Sequence, residues 1–391
     1  MAKPKIRFKG YQEDWEQRKL GEVAKEFKSG NSLKADEIGI TGDYPVYGGN
    51  GLRGYTSTYN HDGEFALIGR QGALCGNMNY SVGKAYFTEH AVVVKADENN
   101  DTKFMYYMLD TMNLGQYSDQ SAQPGLAVNK LVKLENLFPQ KEEQQRIGLY
   151  FSNVDHLITL HQRKCDQTKK LKKFMLQKMF PQNGKKVPEL RFSEFTDDWE
   201  QRKLGEFGKT TGGTSIESEF NELGKYKVIS IGSYSETSKY NDQGIRANKT
   251  NKTESRILNK NNLTMILNDK TASGNIIGRV LLIDADDSYV FNQRTERIEV
   301  YENEYLPEFL YHFLNADNIR EKIIRAAQGN TQIYVNWNSI SELSYKIPLS
   351  KHEQRKIADL FNQLDHLITL HQRKYEELQK VKKFMLQNMF V

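Results

Sequence analysis

The residues in this chain best suited to chemistry lie in glycine-rich stretches that also carry Arg, Lys, Asn, Gln and Tyr. In the first half these are Tyr47-Gly48-Gly49-Asn50-Gly51-Leu52-Arg53-Gly54 and Gly69-Arg70-Gln71-Gly72-Ala73. In the second half they are Thr211-Gly212-Gly213-Thr214-Ser215 and Asn268-Asp269-Lys270-Thr271-Ala272-Ser273-Gly274-Asn275. Such side chains suit nucleic acid: an arginine fork matches guanine, Asn or Gln matches adenine, and glycine lets backbone approach closely. On that chemistry the base-reading candidates are Tyr47, Asn50, Arg53, Arg70 and Gln71, then Arg246, Asn248, Lys249, Lys270, Asn275 and Arg279. Turns with solvated polar residues have the same composition, so each position needs a geometric test.

Catalytic motifs fail on their own spacing rules. Gly49, Gly51 and Gly54 match G-x-G-x-x-G, but Tyr55-Thr56-Ser57-Thr58-Tyr59 follows and does not open a helix, which removes the dinucleotide reading. Gly208-Lys209-Thr210 resembles the end of a phosphate loop, yet Lys203 stands where the leading glycine is required. No H-E-x-x-H, C-x-x-C or Pro-Pro pair occurs, so zincin, thiolate-metal and Asn/Asp-Pro-Pro-Tyr amino-methyltransferase sites are not expected. Asp14 with Glu26-Phe27-Lys28 is a faint acidic nuclease pattern that Glu206-Phe207-Gly208 does not repeat. No catalytic residue, cofactor site or metal site is expected in this chain.

The length of 391 residues, at about 150 per domain, predicts two or three domains. With 11% aromatic residues the chain has the means to build cores. No stretch nears the roughly 18 apolar residues of a membrane span, and no apolar segment follows the first lysines. Cys75 and Cys165 are too few for a disulfide framework, so the cytoplasm is the expected compartment. Net charge is +5, but residues 161 to 186 alone hold nine Lys/Arg against one Asp, while 25 to 140 hold 10 basic and 13 acidic residues. An anionic partner would therefore meet local patches rather than a basic body.

These candidates sit inside a duplicated frame. DWEQRKLGE occurs at 14 to 22 and at 198 to 206, an offset of 184. DHLITLHQRK occurs at 155 to 164 and 365 to 374, an offset of 210, and KKFMLQ follows each copy. The second half thus holds 26 more residues between its shared blocks, and those intervening blocks look mostly unrelated. Faint echoes survive, including Phe87-Thr88-Glu89-His90 with Phe291-Asn292-Gln293-Arg294. A constant frame with variable content points to identical partners for the frame and different ones for the inserts.

From Glu142 to Phe180 there is no proline, and Ile147, Phe151, Val154, Ile158, His161, Cys165, Thr168 and Met175 recur at spacings of three and four, with Lys172 interrupting. The second copy repeats the seam through Ile357, Phe361, Leu364, Ile368, His371, Tyr375, Leu378 and Met385. About 40 residues make a rod of roughly 60 Å, the length of about 17 DNA base pairs. Neither rod buries its seam alone, so antiparallel pairing is expected, with a pseudo-twofold arrangement of two globular domains. The expected boundaries are 1–140 and 189–350 for the domains, 141–180 and 351–391 for the helices, and 181–188 for a proline-flanked linker. The fold class is α+β: two mixed globular domains joined by two long antiparallel helices. From the residues alone a helical-spacer scaffold for protein binding, or a stand-alone DNA-modifying enzyme, stays open.

The twin DWEQRKLGE openings, the helices ending KKFMLQKMF and KKFMLQNMF, the helix starts Lys141-Glu142-Glu143-Gln144-Gln145-Arg146-Ile147 and Lys351-His352-Glu353-Gln354-Arg355-Lys356-Ile357, and the Ile68-Gly69-Arg70-Gln71-Gly72-Ala73 loop together give the chain its family likeness. It resembles the specificity subunits of type I restriction-modification systems over nearly its whole length. The resemblance implies two target-recognition domains, each reading one half of a split double-stranded DNA site, with the helices as a ruler. It also implies docking of two modification subunits carrying S-adenosylmethionine for adenine methylation, and of restriction subunits using ATP and magnesium. No membrane partner is implied.

Overall fold

The computed structural model describes residues 3–118, 125–182 and 184–391. They form two compact units, Met1–Arg163 with His371–Val391, and Lys164–Leu370. The first half contributes β1 (Glu16–Lys19), β2 (Ala24–Ser29), β3 (Tyr44–Gly48), β4 (Gly51–Thr56), β5 (Glu64–Gly69), β6 (Met78–Val82), β7 (Tyr86–Phe87), β8 (Ala91–Ala96) and β9 (Glu135–Phe138). Its helices are α1 (Thr102–Thr111), α2 (Val128–Leu131) and α3 (Lys141–Lys178).

An antiparallel sheet ordered β2-β8-β5-β6 is the platform of the first unit. The run Ala91-Val92-Val93-Val94 is wholly buried because both faces of this sheet are covered. Val92 and Val94 join Ala66 and Ile68 against Phe104, Met105 and Met108 of α1. Val93 points the other way, with Phe65 and Leu67, onto Phe87. Helix α1 starts at Asp101, whose carboxylate accepts the Phe104 N–H at 2.7 Å, the arrangement that caps an orphan amide. A smaller sheet ordered β4-β3-β7 covers the second face, with β3 parallel to β7.

That smaller sheet makes a β-hairpin of the glycine-rich stretch Tyr47–Gly54. Tyr47 lies on β3 and Arg53 on β4, joined by a tight turn at Gly49-Asn50. Glycine depresses any strand signal, but here it supplies the left-handed backbone of Gly51, at φ +89°, that lets the hairpin close.

The second half contributes β10 (Glu200–Lys203), β11 (Gly208–Gly212), β12 (Tyr226–Ile229), β13 (Arg246–Ala247), β14 (Ile257–Leu258), β15 (Leu263–Ile266), β16 (Asn268–Asp269), β17 (Val280–Leu282), β18 (Tyr289–Phe291), β19 (Thr295–Val300), β20 (Ile333–Tyr334) and β21 (Ser344–Ile347). Its helices are α4 (Asn251–Glu254), α5 (Pro307–Asn315), α6 (Asp317–Arg325), α7 (Trp337–Ile340) and α8 (Lys351–Met389). The platform order β11-β19-β15-β17 repeats β2-β8-β5-β6, and β13-β12-β18 repeats β4-β3-β7, down to the parallel pair β12 and β18. Blocks that look unrelated in sequence therefore share a topology. Among the described residues, strand β14 and helices α4 and α6 have no counterpart in the first half, where the β16–β20 pairing is reduced to a single Gln71–Gly125 bridge.

The repeated frame is closed by buried ion pairs. Arg7 grips Glu143 through Nε and Nη2, both at 2.7 Å, and Arg191 grips Glu353 at 2.7 and 2.9 Å. The side chains of Glu143 and Glu353 are only 1% and 2% exposed, so each carboxylate depends on its arginine. The Ile6 N–H donates to the Asn388 carbonyl at the end of α8, and the Leu190 N–H donates to the Lys178 carbonyl at the end of α3, each at 2.9 Å. In both units, then, the opening segment of one half is sealed by the far end of a long helix.

Each unit contains a length of α3 antiparallel to a length of α8. In the first, Asp155 meets Lys382 at 2.6 Å, His161 Nδ1 lies 3.1 Å from His371 Nδ1, and Phe151 stacks on Phe390. In the second, the Cys165 thiol reaches the Ile368 carbonyl, Lys172 meets Asp365 at 2.5 Å, and Phe180 stacks on Phe361. Lys172 thus breaks the apolar seam to form the ion pair that Lys382 forms in the other unit.

Arg191→Met strands the buried Glu353 carboxylate and lowers stability by about 3–5 kcal/mol, and adding Glu353→Gln restores part of it; urea denaturation of both variants measures this. His312, buried in α5, donates from Nε2 to the Asn362 side-chain carbonyl at 2.9 Å, and burial pushes its pKa down to about 4 despite that bond. The unfolded chain binds this proton at about 6.5, so stability falls as pH drops from about 6.5 to about 4. A His312→Gln variant should show a flatter dependence of melting temperature on pH in that window.

Candidate nucleic-acid interface

Three connections of the first unit converge at one edge of its sheets: the β3–β4 turn, residues 70–77 between β5 and β6, and residues 88–90 between β7 and β8. They are tied by backbone bonds. The Arg70 N–H donates to the His90 carbonyl and the Thr88 N–H to the Tyr47 carbonyl, both at 2.9 Å. The Arg70 carbonyl in turn accepts from the Leu126 N–H at 2.9 Å and the Cys75 thiol at 3.3 Å. A Cβ on Gly69 would lie 2.4 Å from the Gly49 carbonyl oxygen, so glycine sets how closely the hairpin approaches β5.

Between these segments lies a hollow of about 240 Å³ lined by Gly49, Asn50, Arg53, Gln71 and His90. It gathers Asn50, Arg53 and Gln71 from the sequence-derived candidates and adds His90, whose Nδ1 lies 3.0 Å from Gln71 Oε1. Arg70 sits beside it, half-buried, with Nη1 donating to the Glu89 carbonyl at 3.3 Å. Tyr47 is placed apart from the hollow, its ring edge-on to Phe87 in the core. Glu26, the weak nuclease candidate, is occupied: His61 Nε2 and Lys28 Nζ lie 2.7 and 3.2 Å from its carboxylate. Burial pushes the Glu26 carboxyl up, but the bonds from His61 and Lys28 outweigh it and leave the pKa below its usual value.

The second unit stiffens the equivalent connection differently. Asp269 accepts from the Thr271 N–H, the Thr271 hydroxyl and the Ile276 N–H, all at 2.9 Å. Arg320 enters from α6, and its Nη2 donates to the carbonyls of Gly274, Asn275 and Ile277 at 3.0–3.1 Å. Burial lowers the Arg320 pKa to about 10. Lys270 is left exposed on this loop, while Asn275 donates to Glu236 at 2.8 Å. Arg279 turns inward to the carbonyls of Asn275 and Asn315 and to the Ser238 hydroxyl. Arg246 forms a two-pronged pair with Asp242 at 3.0 and 3.1 Å, which holds the Asp242 carboxyl far below its usual range. Asn248 and Lys249 follow β13 and are exposed.

The candidates of the second unit thus fall in two groups, 246–249 and 270–279. Segment 236–242 carries the partners of both, Asp242 for Arg246 and Glu236 for Asn275. The residue lining the hollow that sequence reasoning missed is His90, although the Phe-Thr-Glu-His echo marks its position. Among the described residues, no helix is long and apolar enough to cross a membrane. No group of three or more His, Cys, Asp or Glu placed to hold a metal occurs among them either.

A family model described as the type I restriction modification DNA specificity domain matches residues 12–170 and again 196–380. The chain belongs to that family. It is similar to the specificity subunit of the Escherichia coli type I restriction enzyme EcoprrI, 42% identical over 156 residues, a match covering 39% of each protein. It is also similar to the MjaVIII specificity subunit of Methanocaldococcus jannaschii, 24% identical over 393 residues, covering 95% of this chain and 91% of that one. Among solved structures it resembles the S subunit of a type I restriction-modification system from M. genitalium, with a TM-score of 0.69 over 100% of this chain and 99% of the other; at 17% identity the likeness speaks for the fold.

Gly69→Ala forces backbone apart at the Gly49 and Leu74 carbonyls and should cost about 1–3 kcal/mol by urea denaturation. Gly72, at φ +82° in open space, is strained by alanine but meets no atom, so Gly72→Ala should cost less.

Proposed function

We propose that this chain is the non-catalytic subunit that gives a cytoplasmic type I restriction-modification complex its DNA sequence specificity. Residues 1–140 and 189–350 act as two target-recognition domains, each reading one half of a bipartite, asymmetric site in double-stranded DNA. Asn50, Arg53, Arg70 and Gln71, supported by Tyr47, read the first half; Asn248, Lys249 and Lys270 read the second, with Arg246, Asn275 and Arg279 shaping that surface. The long helices, 141–180 and 351–391, set the distance between the half-sites, and 181–188 links the two halves. A helix of 38 residues is about 57 Å long, which suits a ruler on the scale of DNA.

The frame docks two modification subunits and, through the complex, restriction subunits. S-adenosylmethionine, ATP and magnesium belong to those partners, whose methyltransferase extrudes its adenine from the duplex. The observation carrying the reading is that one strand order and one Arg–Glu clasp each occur twice, while the loop side chains of the two units differ. Matched frames suit matched partners, and unlike loops suit unlike half-sites.

The test is to replace residues 23–140 with the corresponding segment of another family member, co-express the chain with its modification subunit, and map methyladenine by single-molecule sequencing. One half of the methylated motif should change while the other half and the gap persist. A change in both halves, or in neither, overturns the proposal.

A further inference from the structure

Of the eight arginines between Trp199 and Lys351, seven are engaged within the second unit. Arg246, Arg279 and Arg320 hold the partners described above, and Arg256 donates to the Gly212 carbonyl at 2.7 Å. Arg297, Arg202 and Arg325 pair with Glu299, Glu200 and Glu321. Of these eight, all among the described residues, only Arg294 is exposed with its guanidinium in no hydrogen bond or ion pair.

Its backbone is held in place. Arg294 lies in the β18–β19 turn at φ +66°, a left-handed conformation that glycine would adopt more easily. Its carbonyl accepts the Leu267 N–H at 2.9 Å, just as the His90 carbonyl accepts the Arg70 N–H in the first unit. The β18–β19 turn is the counterpart of β7–β8, since β12-β18 and β15-β19 repeat β3-β7 and β5-β8. Arg294 therefore occupies the place of His90, the residue that lines the hollow of the first unit. Tertiary contacts fix the main chain from which a free, rigid donor fork projects.

We infer that Arg294 is a specificity-determining residue of the second unit, contacting a guanine of the second half-site through its planar pair of donors. A fork of fixed geometry distinguishes guanine O6 and N7 from the other major-groove patterns, whereas a phosphate contact carries no sequence information. The inference deepens the DNA-reading role proposed above and rests on it.

The test compares Arg294→Lys and Arg294→Gly chains with the unsubstituted chain, each co-expressed with the modification subunit, by methyladenine mapping. Arg294→Gly suits the left-handed backbone, so an unchanged or raised melting temperature shows that the unit still folds. Both variants should lose discrimination by about 10- to 100-fold at one guanine position of the second half-site, leaving the first half and the gap intact. A uniform fall in methylation with an unaltered motif, relief by lysine's charge alone, a change in the first half, or no change would each overturn the inference. If the unsubstituted complex yields no bipartite motif, the DNA-reading role falls and takes this inference with it; a normal motif unaffected by Arg294 removes this inference only.

Discussion

A single helix of nearly forty residues carrying an apolar seam is not stable in water, because most helical stability in proteins comes from packing that seam. The rest of the structure depends on how that constraint is met. In each unit a length of α3 is covered by an antiparallel length of α8, with Phe151 on Phe390 in one and Phe180 on Phe361 in the other. Charges are placed inside the seam as matched pairs, Asp155 with Lys382 and Asp365 with Lys172. A charged pair in a seam contributes little net stability, but an antiparallel slip by one turn would leave both charges uncompensated, so these pairs act on register.

The same logic explains why the opening segments are conserved between the halves while the inserts are not. Arg7 and Arg191 each neutralise a glutamate that the helix start buries, and Trp199 adds an indole N–H to Glu353 at 3.1 Å. A buried carboxylate tolerates few alternatives to its partner. The sheets place weaker demands on sequence: β5 and β8 need apolar residues on both faces, and many combinations of Val, Ile, Leu and Phe provide that. One strand order is thus written in two sequences with little in common.

This difference also sets what could be read from the sequence. The seam residues from Ile147 to Met175 and their copies follow from spacing alone, and the buried or half-buried states of Phe151, Val154, Ile158 and Cys165 match it. The shared topology of the inserts was not legible, since strand pairing joins residues far apart and glycine-rich β3 and β4 resemble loops. Engagement of individual side chains was not legible either. Arg246 and Lys270 look alike as candidates, yet one is committed to Asp242 and the other is exposed. Local sequence specifies a guanidinium, whereas the tertiary fold decides whether it is already occupied.

The two units rigidify equivalent loops by unlike means, which sets how freely the side chains of each loop can vary. In the first unit close backbone approach does the work: Gly49, Gly69 and Gly76 sit where a Cβ would strike neighbouring main chain at 3.0 Å or less. In the second, polar side chains do it, with Asp269 inside the loop and Arg320 from α6 gathering its carbonyls. A loop held by close backbone contacts asks less of its side chains, so Asn50 and Arg53 are replaceable without loss of the scaffold. A loop held by Asp269, Arg279 and Arg320 ties part of its polar inventory to stability, which leaves fewer positions free to vary. The extra α6 of the longer second half supplies Arg320, so the additional length of that half is in part the means of holding its own 268–279 loop.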